Sequence, residues 1–303
     1  MPSFRIWTLA ARPKTLTGAA IPVVLAGALA INQMGYDLPY GVWAGCLFFA
    51  MLMQIDANFI NDIYDYLKGT DRADRLGPER ACAQGWVTPR QMRVAIGIVT
   101  VAACLVGLLT VAWVWDRLPW GGWEFVALGA MCVAGAFLYT TRLSYLGWGD
   151  VMVLIFFGLV PVCGTYYLMC LTLPISSIIV GLISGIAIDA LLIVNNFRDR
   201  EQDRISGKRT IVVRLGGHVA LALHRSIGWS VFALCLVLWF LTDGSWTELP
   251  LFILAGGAFT WLNTRTTNHM ALIDHGRALN ACLGETSLNM SVLAILLCLA
   301  MLM

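Results

Sequence analysis

Hydrophobic positions along this chain come in long runs rather than in the alternating pattern of a half-buried strand, and short polar clusters separate them. A helix that crosses a bilayer needs about 20 mostly apolar residues. Nine runs meet that requirement, at approximately 16–35, 41–62, 92–115, 122–141, 150–171, 175–196, 218–241, 249–267 and 282–303. The eighth is the weakest, because the polar stretch TRTTN begins at Thr264. Pro22 and Pro161 fall inside runs, a placement that membrane helices tolerate because neighbouring groups satisfy the freed carbonyls. Trp113, Trp115, Trp120 and Trp123 crowd one predicted helix end, and Trp239 and Trp246 another on the same side, as an interfacial aromatic belt requires.

Loop charge gives the expected orientation. With the N-terminus on side one and nine crossings, only Arg117 of the 20 lysines and arginines falls on the opposite side. Positive residues are retained in the cytoplasm, so the reading is N-in and C-out. The second and sixth runs then both end at the cytoplasmic face, which matters for the polar residues below.

Composition agrees with a polytopic membrane protein. Hydrophobic residues make up 59% and charged residues 13% of the 303, against about a quarter charged in soluble domains, and the mean hydropathy is +0.75. The expected partner is the lipid bilayer; the net charge of +2 carries no indication of nucleic acid. Nine cysteines are scattered without C-x-x-C or C-x-x-H pairs, and most lie in apolar runs as small core residues. The N-terminal residues lack the order of regions of a cleaved signal peptide. One domain over 1–303 is expected.

Two polar clusters stand out. In QIDANFINDIYDYLKGTD, Gln54, Asn58, Asn61, Asp62 and Asp65 share one helical stripe between apolar neighbours. Gly69 then permits a turn towards Asp71. In NNFRDREQDR, Asn195, Asn196, Asp199, Gln202 and Asp203 share another stripe. A headgroup-level helix end accounts for single charges such as Glu79 or Glu201. Two amide-and-carboxylate stripes converging on one membrane side point instead to a functional cavity. Asp62, Asp65, Asp71, Asp199 and Asp203 would together form a dense negative cluster that needs bridging cations. Oxygen donors without His or Cys suit Mg2+ shared with a phosphate-bearing substrate. Lys68, Arg72, Arg198, Lys208 and Arg209 are interleaved with these acids, a mixture suited to binding a diphosphate. SGKRT lacks the first glycine and the preceding strand of a phosphate loop.

NDIYD with Asp71, and NNFRDREQD, resemble the two aspartate-rich motifs of the UbiA superfamily of intramembrane prenyltransferases. RPKTL at 12–16, QIDANFIND at 54–62, GTDRADRLGPER at 69–80, FFGLVPVCGTYY at 156–167 and NNFRDREQDRISGKRTIVVRLG at 195–216 are most similar to its menaquinone-biosynthesis branch. That branch acts on 1,4-dihydroxy-2-naphthoate. The resemblance implies an all-α bundle of nine transmembrane helices around a central cavity. It also implies Mg2+-dependent transfer of a polyprenyl group from polyprenyl diphosphate to the naphthoate, with loss of carbon dioxide and diphosphate. By the same resemblance Asn61, Asp62, Asp65 and Asp71 would hold one magnesium, and Asp199 and Asp203, with Asn195 nearby, the other. Tyr139, Tyr145, Phe156, Phe157, Tyr166 and Tyr167 are candidates to face the allylic cation. Lys14 and Arg142 lie on the correct side to receive the acceptor's carboxylate. The alternatives are another acceptor, such as 4-hydroxybenzoate, haem or a lipid, and, from a different class, an ion-coupled transporter. Asp56 and Asp189 have no assigned part.

Overall fold

A computed structural model of the protein describes residues 2–69, 75–242 and 244–303. Among these residues the structure is helical. A short helix α1 (Phe4–Ala11) precedes nine long ones: α2 (Pro13–Met34), α3 (Tyr40–Leu67), α4 (Pro89–Ala112), α5 (Trp123–Leu146), α6 (Gly149–Cys170), α7 (Ile175–Ile205), α8 (Gly217–Leu241), α9 (Leu249–Ile273) and α10 (Asn280–Leu302). Eight of the long helices are sufficiently long and apolar to cross a membrane; α9, 25 residues long, is the one that falls short.

The polar stretch of α9 does not end it at residue 267, as the sequence suggested, because Asn263, Thr266 and Thr267 are buried against its neighbours. Asn263 donates to the His224 carbonyl, His224 Nδ1 and Thr267 Oγ1 lie 2.7 Å apart, and Asn289 of α10 donates to Thr266 Oγ1 at 3.1 Å. α3 and α7 also run beyond their apolar stretches, to Leu67 and Ile205, which carries both acidic stripes on continuous helix.

The first break is made by Arg12. Its φ of 53° lies in the left-handed region, and Pro13 starts α2. A residue before proline is pushed out of the right-handed helical region, so the chain turns here. α1 then lies across α3, with Trp7 edge-on to Phe59 at 5.6 Å.

α5 and α6 each contain a π turn, at Tyr139–Leu143 and Ile155–Leu159. The second has a visible cause. Pro161 has no N–H to donate to the Phe157 carbonyl, and Ser184 Oγ of α7 donates to that carbonyl at 3.1 Å. Backbones meet closely here: a Cβ on Gly158 would stand 2.5 Å from the Gly181 carbonyl oxygen. Small residues permit such contacts between membrane helices.

The main core joins α2 and α6 to α10. On α4, Ile98, Val101, Leu105 and Leu109 form an exposed apolar stripe, as a lipid-facing helix demands. Between α2, α3, α5, α6, α7 and α10 the packing leaves a cavity of about 1900 Å3.

Candidate active site

The end of α3 and the loop after it are folded onto each other by the helix's own acids. Asp62 is 2% exposed, and its two carboxylate oxygens accept the backbone N–H groups of Ala81 and Cys82, each at 2.9 Å. One turn later, Asp65 pairs with Arg80 at 3.0 Å, both side chains buried. Asn58, one turn before Asp62 on the same stripe, is engaged elsewhere: it donates to the Ala11 carbonyl and to Thr15 Oγ1, both at 2.9 Å. Asn58 therefore brackets the α1–α2 break, while Asn61 accepts from Thr140 Oγ1 of α5 at 2.8 Å.

The end of α7 is built differently. Arg198 grips its neighbour Asp199 through two hydrogen bonds, of 2.7 and 2.6 Å, and donates a third to Asn280 Oδ1 at 2.8 Å. Asn280, at the start of α10, donates in turn to the Leu76 carbonyl at 2.8 Å. The guanidinium thus ties the second acidic stripe to the loop that follows the first. Asp203 is buried, with Lys208 Nζ 3.6 Å from its carboxylate.

The two stripes meet at Tyr145. Lys68, just after α3, lies over the Tyr145 ring at 3.9 Å from its centroid, and Lys208, just after α7, lies at 5.3 Å from the same centroid. Burial works against the charge on Lys208, but Asp203, Asp65 and Asp199 outweigh it, so the ammonium is held above the ordinary lysine range. Carboxylates from both helices therefore act on one lysine. Lys68 is displaced the other way: loss of solvation lowers its pKa, Asp65 opposes this, and Lys208 adds to it.

Asn61, Asp65, Lys68, Asn195, Asn196, Arg198, Asp199, Asp203 and Lys208 all line the mouth of the cavity, as do Lys14, Asn58 and Tyr139. Deeper in, the walls are apolar, with Val23, Phe49, Met53, Leu128, Phe156 and Leu168 among them. The arrangement offers an anion-binding, oxygen-rich mouth above a greasy channel.

Not every candidate residue lies on the cavity wall. Asp62 is absent from the cavity wall; it turns instead to the loop, where its two oxygens accept the amides of Ala81 and Cys82. Arg142 and Arg209 are exposed and also lie off the cavity wall, Arg142 because the π turn at 139–143 directs Tyr139 and Thr140 inwards instead. Tyr166 is buried behind the wall, donating to Gln33 Oε1 at 2.7 Å, and Tyr167 stacks on Phe125 at 5.8 Å. Asp71 and Arg72 lie outside the described residues. Asp56 accepts from Thr100 Oγ1 of α4 at 2.8 Å, and Asp189 faces a small side pocket together with Asp150.

One residue was missed. Arg12 lines the cavity, and its buried Nη2 has no hydrogen-bond partner among the described residues. Burial and the neighbouring Arg80 and Arg75 work against its charge, while Asp62 and Asp65 favour it. An anion in the cavity would complete this set. Its sequence signal was the Arg-Pro pair of RPKTL, where a pre-proline break turns the side chain inwards.

Residues 19–271 match the UbiA prenyltransferase family. Among curated relatives, the 1,4-dihydroxy-2-naphthoate octaprenyltransferase of Haemophilus influenzae is 35% identical over 260 residues, covering 83% of this chain and 82% of the relative. The enzyme of the same name from Escherichia coli is 38% identical over 221 residues, covering 72% and 71%. Among solved structures, a UbiA homolog from Archaeoglobus fulgidus bound to GPP and Mg2+ superposes with a TM-score of 0.67 over 98% of this chain and 99% of that one, at 14% identity.

Proposed function

The chain belongs to the UbiA prenyltransferase family, and we propose that it transfers a polyprenyl group from a polyprenyl diphosphate to 1,4-dihydroxy-2-naphthoate, releasing diphosphate and carbon dioxide. The product is a demethylmenaquinone in its quinol form, an intermediate of menaquinone biosynthesis. The names of the two bacterial relatives support the acceptor. The observation that carries the reading is the convergence of both acidic stripes, with Lys68 and Lys208, on the mouth of one apolar cavity.

The donor set fits magnesium. Asn61, Asp65, Asn195, Asp199 and Asp203 present only oxygen and amide groups to the mouth, the chemistry a hard divalent ion selects. Asp65, with Asn61 and, from the segment beyond Gly69, Asp71, would hold one ion, and Asp199 and Asp203, with Asn195 nearby, the other; Asp62, off the cavity wall, is left to the loop. Bound magnesium neutralises the diphosphate and stabilises the charge that develops as it leaves.

The chain's own residues do the rest. Lys68 and Lys208 donate to the diphosphate oxygens, and Arg198 keeps Asp199 oriented through its paired hydrogen bonds. The allylic C–O bond breaks and its electron pair leaves with the diphosphate. Tyr139, Tyr145 and Phe156 line the wall beside the resulting cation. A ring carbon of the naphthoate forms the new C–C bond, and loss of the carboxylate as carbon dioxide restores aromaticity. Arg12, with Lys14, receives that carboxylate at the outset. The apolar inner cavity holds the prenyl chain and excludes water from the cation.

The enzyme is read as a multi-pass protein of the cytoplasmic (inner) membrane, N-in and C-out, with this mouth towards the cytoplasm. Purified protein given Mg2+, a polyprenyl diphosphate and, in turn, the naphthoate, 4-hydroxybenzoate, haem and a glycerol-phosphate lipid tests the proposal. The expected result is a decarboxylated prenyl adduct of the naphthoate alone. Efficient product from another acceptor, or no diphosphate release with any, refutes it.

A further inference from the structure

Outside the cavity, one group of side chains among the described residues combines three different metal-ligand chemistries. His269 near the end of α9 and Cys282 and Glu285 near the start of α10 bring an imidazole nitrogen, a thiol sulfur and a carboxylate oxygen within 4.8 Å of one another. Cys282 and Glu285 are three residues apart, so they share the face of α10 turned to α9. Leu283, Gly284 and Ser287, on the adjoining face, line the cavity instead. This cluster is thus separated from the magnesium-binding mouth by the body of the helix.

We propose that His269, Cys282 and Glu285 form a second metal centre, selective for a borderline ion of the zinc class. Nitrogen and sulfur donors favour such an ion over magnesium, which takes oxygen. Three protein ligands with a water in the fourth position make a complete tetrahedral shell. The geometry is close to what binding needs. His269 Nδ1 and Glu285 Oε1 are already 2.7 Å apart, and the ion takes the place of the hydrogen between them, which the neutral imidazole then carries on Nε2. Ligand atoms around zinc stand roughly 3.5 Å apart, given bonds of about 2.0–2.3 Å. The group therefore opens slightly at one edge and closes at another, which the half-exposed His269 and Glu285 side chains can follow, at 40% and 38% exposure. Cys282 is fully buried and supplies the fixed point. On binding, the thiol releases its proton to solvent and the thiolate coordinates, so one proton is released for each ion taken up.

The alternative for these residues is a surface histidine–glutamate ion pair beside an ordinary core cysteine. Position argues for more. The cluster fastens α9 to the first turns of α10, and Asn280, two residues before Cys282, is the partner of Arg198 and of the Leu76 carbonyl. An ion here would fix the start of α10, against which the loop after α3 is held.

Titration of the metal-stripped full-length protein in detergent with Co2+ tests the site, because thiolate–cobalt bonding has its own near-ultraviolet charge-transfer absorption. We expect one such site per chain, displaced stoichiometrically by Zn2+ and not by Mg2+. Cys282→Ser abolishes the absorption; Glu285→Gln and His269→Gln, both at half-exposed positions that leave the core intact, weaken cobalt binding by at least about tenfold. Zn2+ raises the thermal midpoint of the wild type and not of the variants. Absence of a thiolate–cobalt absorption in the wild type, or its persistence at full strength in Cys282→Ser, overturns the proposal. So does wild-type cobalt affinity in Glu285→Gln and His269→Gln.

Discussion

Asp62 and Asp65 stand three residues apart on one helix face, and the structure separates their work. Asp62 holds the N–H groups of Ala81 and Cys82, whereas Asp65 lines the cavity and pairs with Arg80. Removing the first carboxylate strands two buried amides, and hydrogen bonds to charged groups contribute about 1.5–3 kcal/mol each. Asp62→Ala is therefore expected to lower the thermal midpoint markedly, by the equivalent of on the order of 3–6 kcal/mol for the two bonds together. The magnesium concentration for half-maximal activity should stay unchanged, because no ligand has been lost; a shifted magnesium requirement in folded Asp62→Ala would restore it to the metal site. The sequence could not distinguish these two acids, because the amides that claim Asp62 lie some twenty residues further along. Lys68 makes a second residue-scale prediction. Its lowered pKa means that it loses its proton below the ordinary lysine value of about 10.4. Affinity for the diphosphate substrate should thus fall on the alkaline side, at a lower pH than an ordinary lysine would give. Lys68→Arg should move that limb to higher pH, as KM measured against pH will report; an unmoved limb excludes Lys68.

At the scale of the element, the helices were legible because a span must be long and apolar, and no packing detail alters that need. Their ends were not. α9 continues past TRTTN since Thr266 and Thr267 find partners on α10 and α8, an outcome that depends on tertiary contacts. The π turns were equally hidden, and the one at Ile155–Leu159 arises from Pro161 together with a hydroxyl from another helix. Contact between α6 and α7 depends on Gly158 lying against the Gly181 carbonyl. Backbone atoms cannot rotate away from an added side chain. Gly158→Leu should accordingly cost about 1–3 kcal/mol or more, read as a lower thermal midpoint. Activity should fall too, since α6 and α7 both wall the cavity. Gly257→Ala, in mid-helix with nothing within 4 Å of the added carbon, should instead raise the midpoint slightly, by the equivalent of about 0.5–1 kcal/mol, and leave activity unchanged.

The whole molecule places an acidic, magnesium-suited mouth over an apolar chamber, and this division between ends explains why composition alone suggested only a membrane protein. What the sequence did reveal was that both acidic stripes end even-numbered apolar runs, the second and the sixth, on one side, so that they could meet. Side-specific labelling of single cysteines introduced near Arg90 and near Trp120 tests the orientation. Labelling from the cytoplasm at the first and from outside at the second is expected, and the reverse pattern would invert the topology. Transport, the other reading the polar helix ends allowed, gives way to the family assignment. The claim on which the chemistry rests is that Asp65 and Asp199, from opposite arms of the fold, serve one diphosphate. Diphosphate release from a polyprenyl diphosphate, measured with saturating Mg2+ and the naphthoate in Asp65→Asn and in Asp199→Asn, addresses it most directly. Both rates should fall by about 10²-fold or more; a folded variant of either kind that releases diphosphate at the wild-type rate would contradict it.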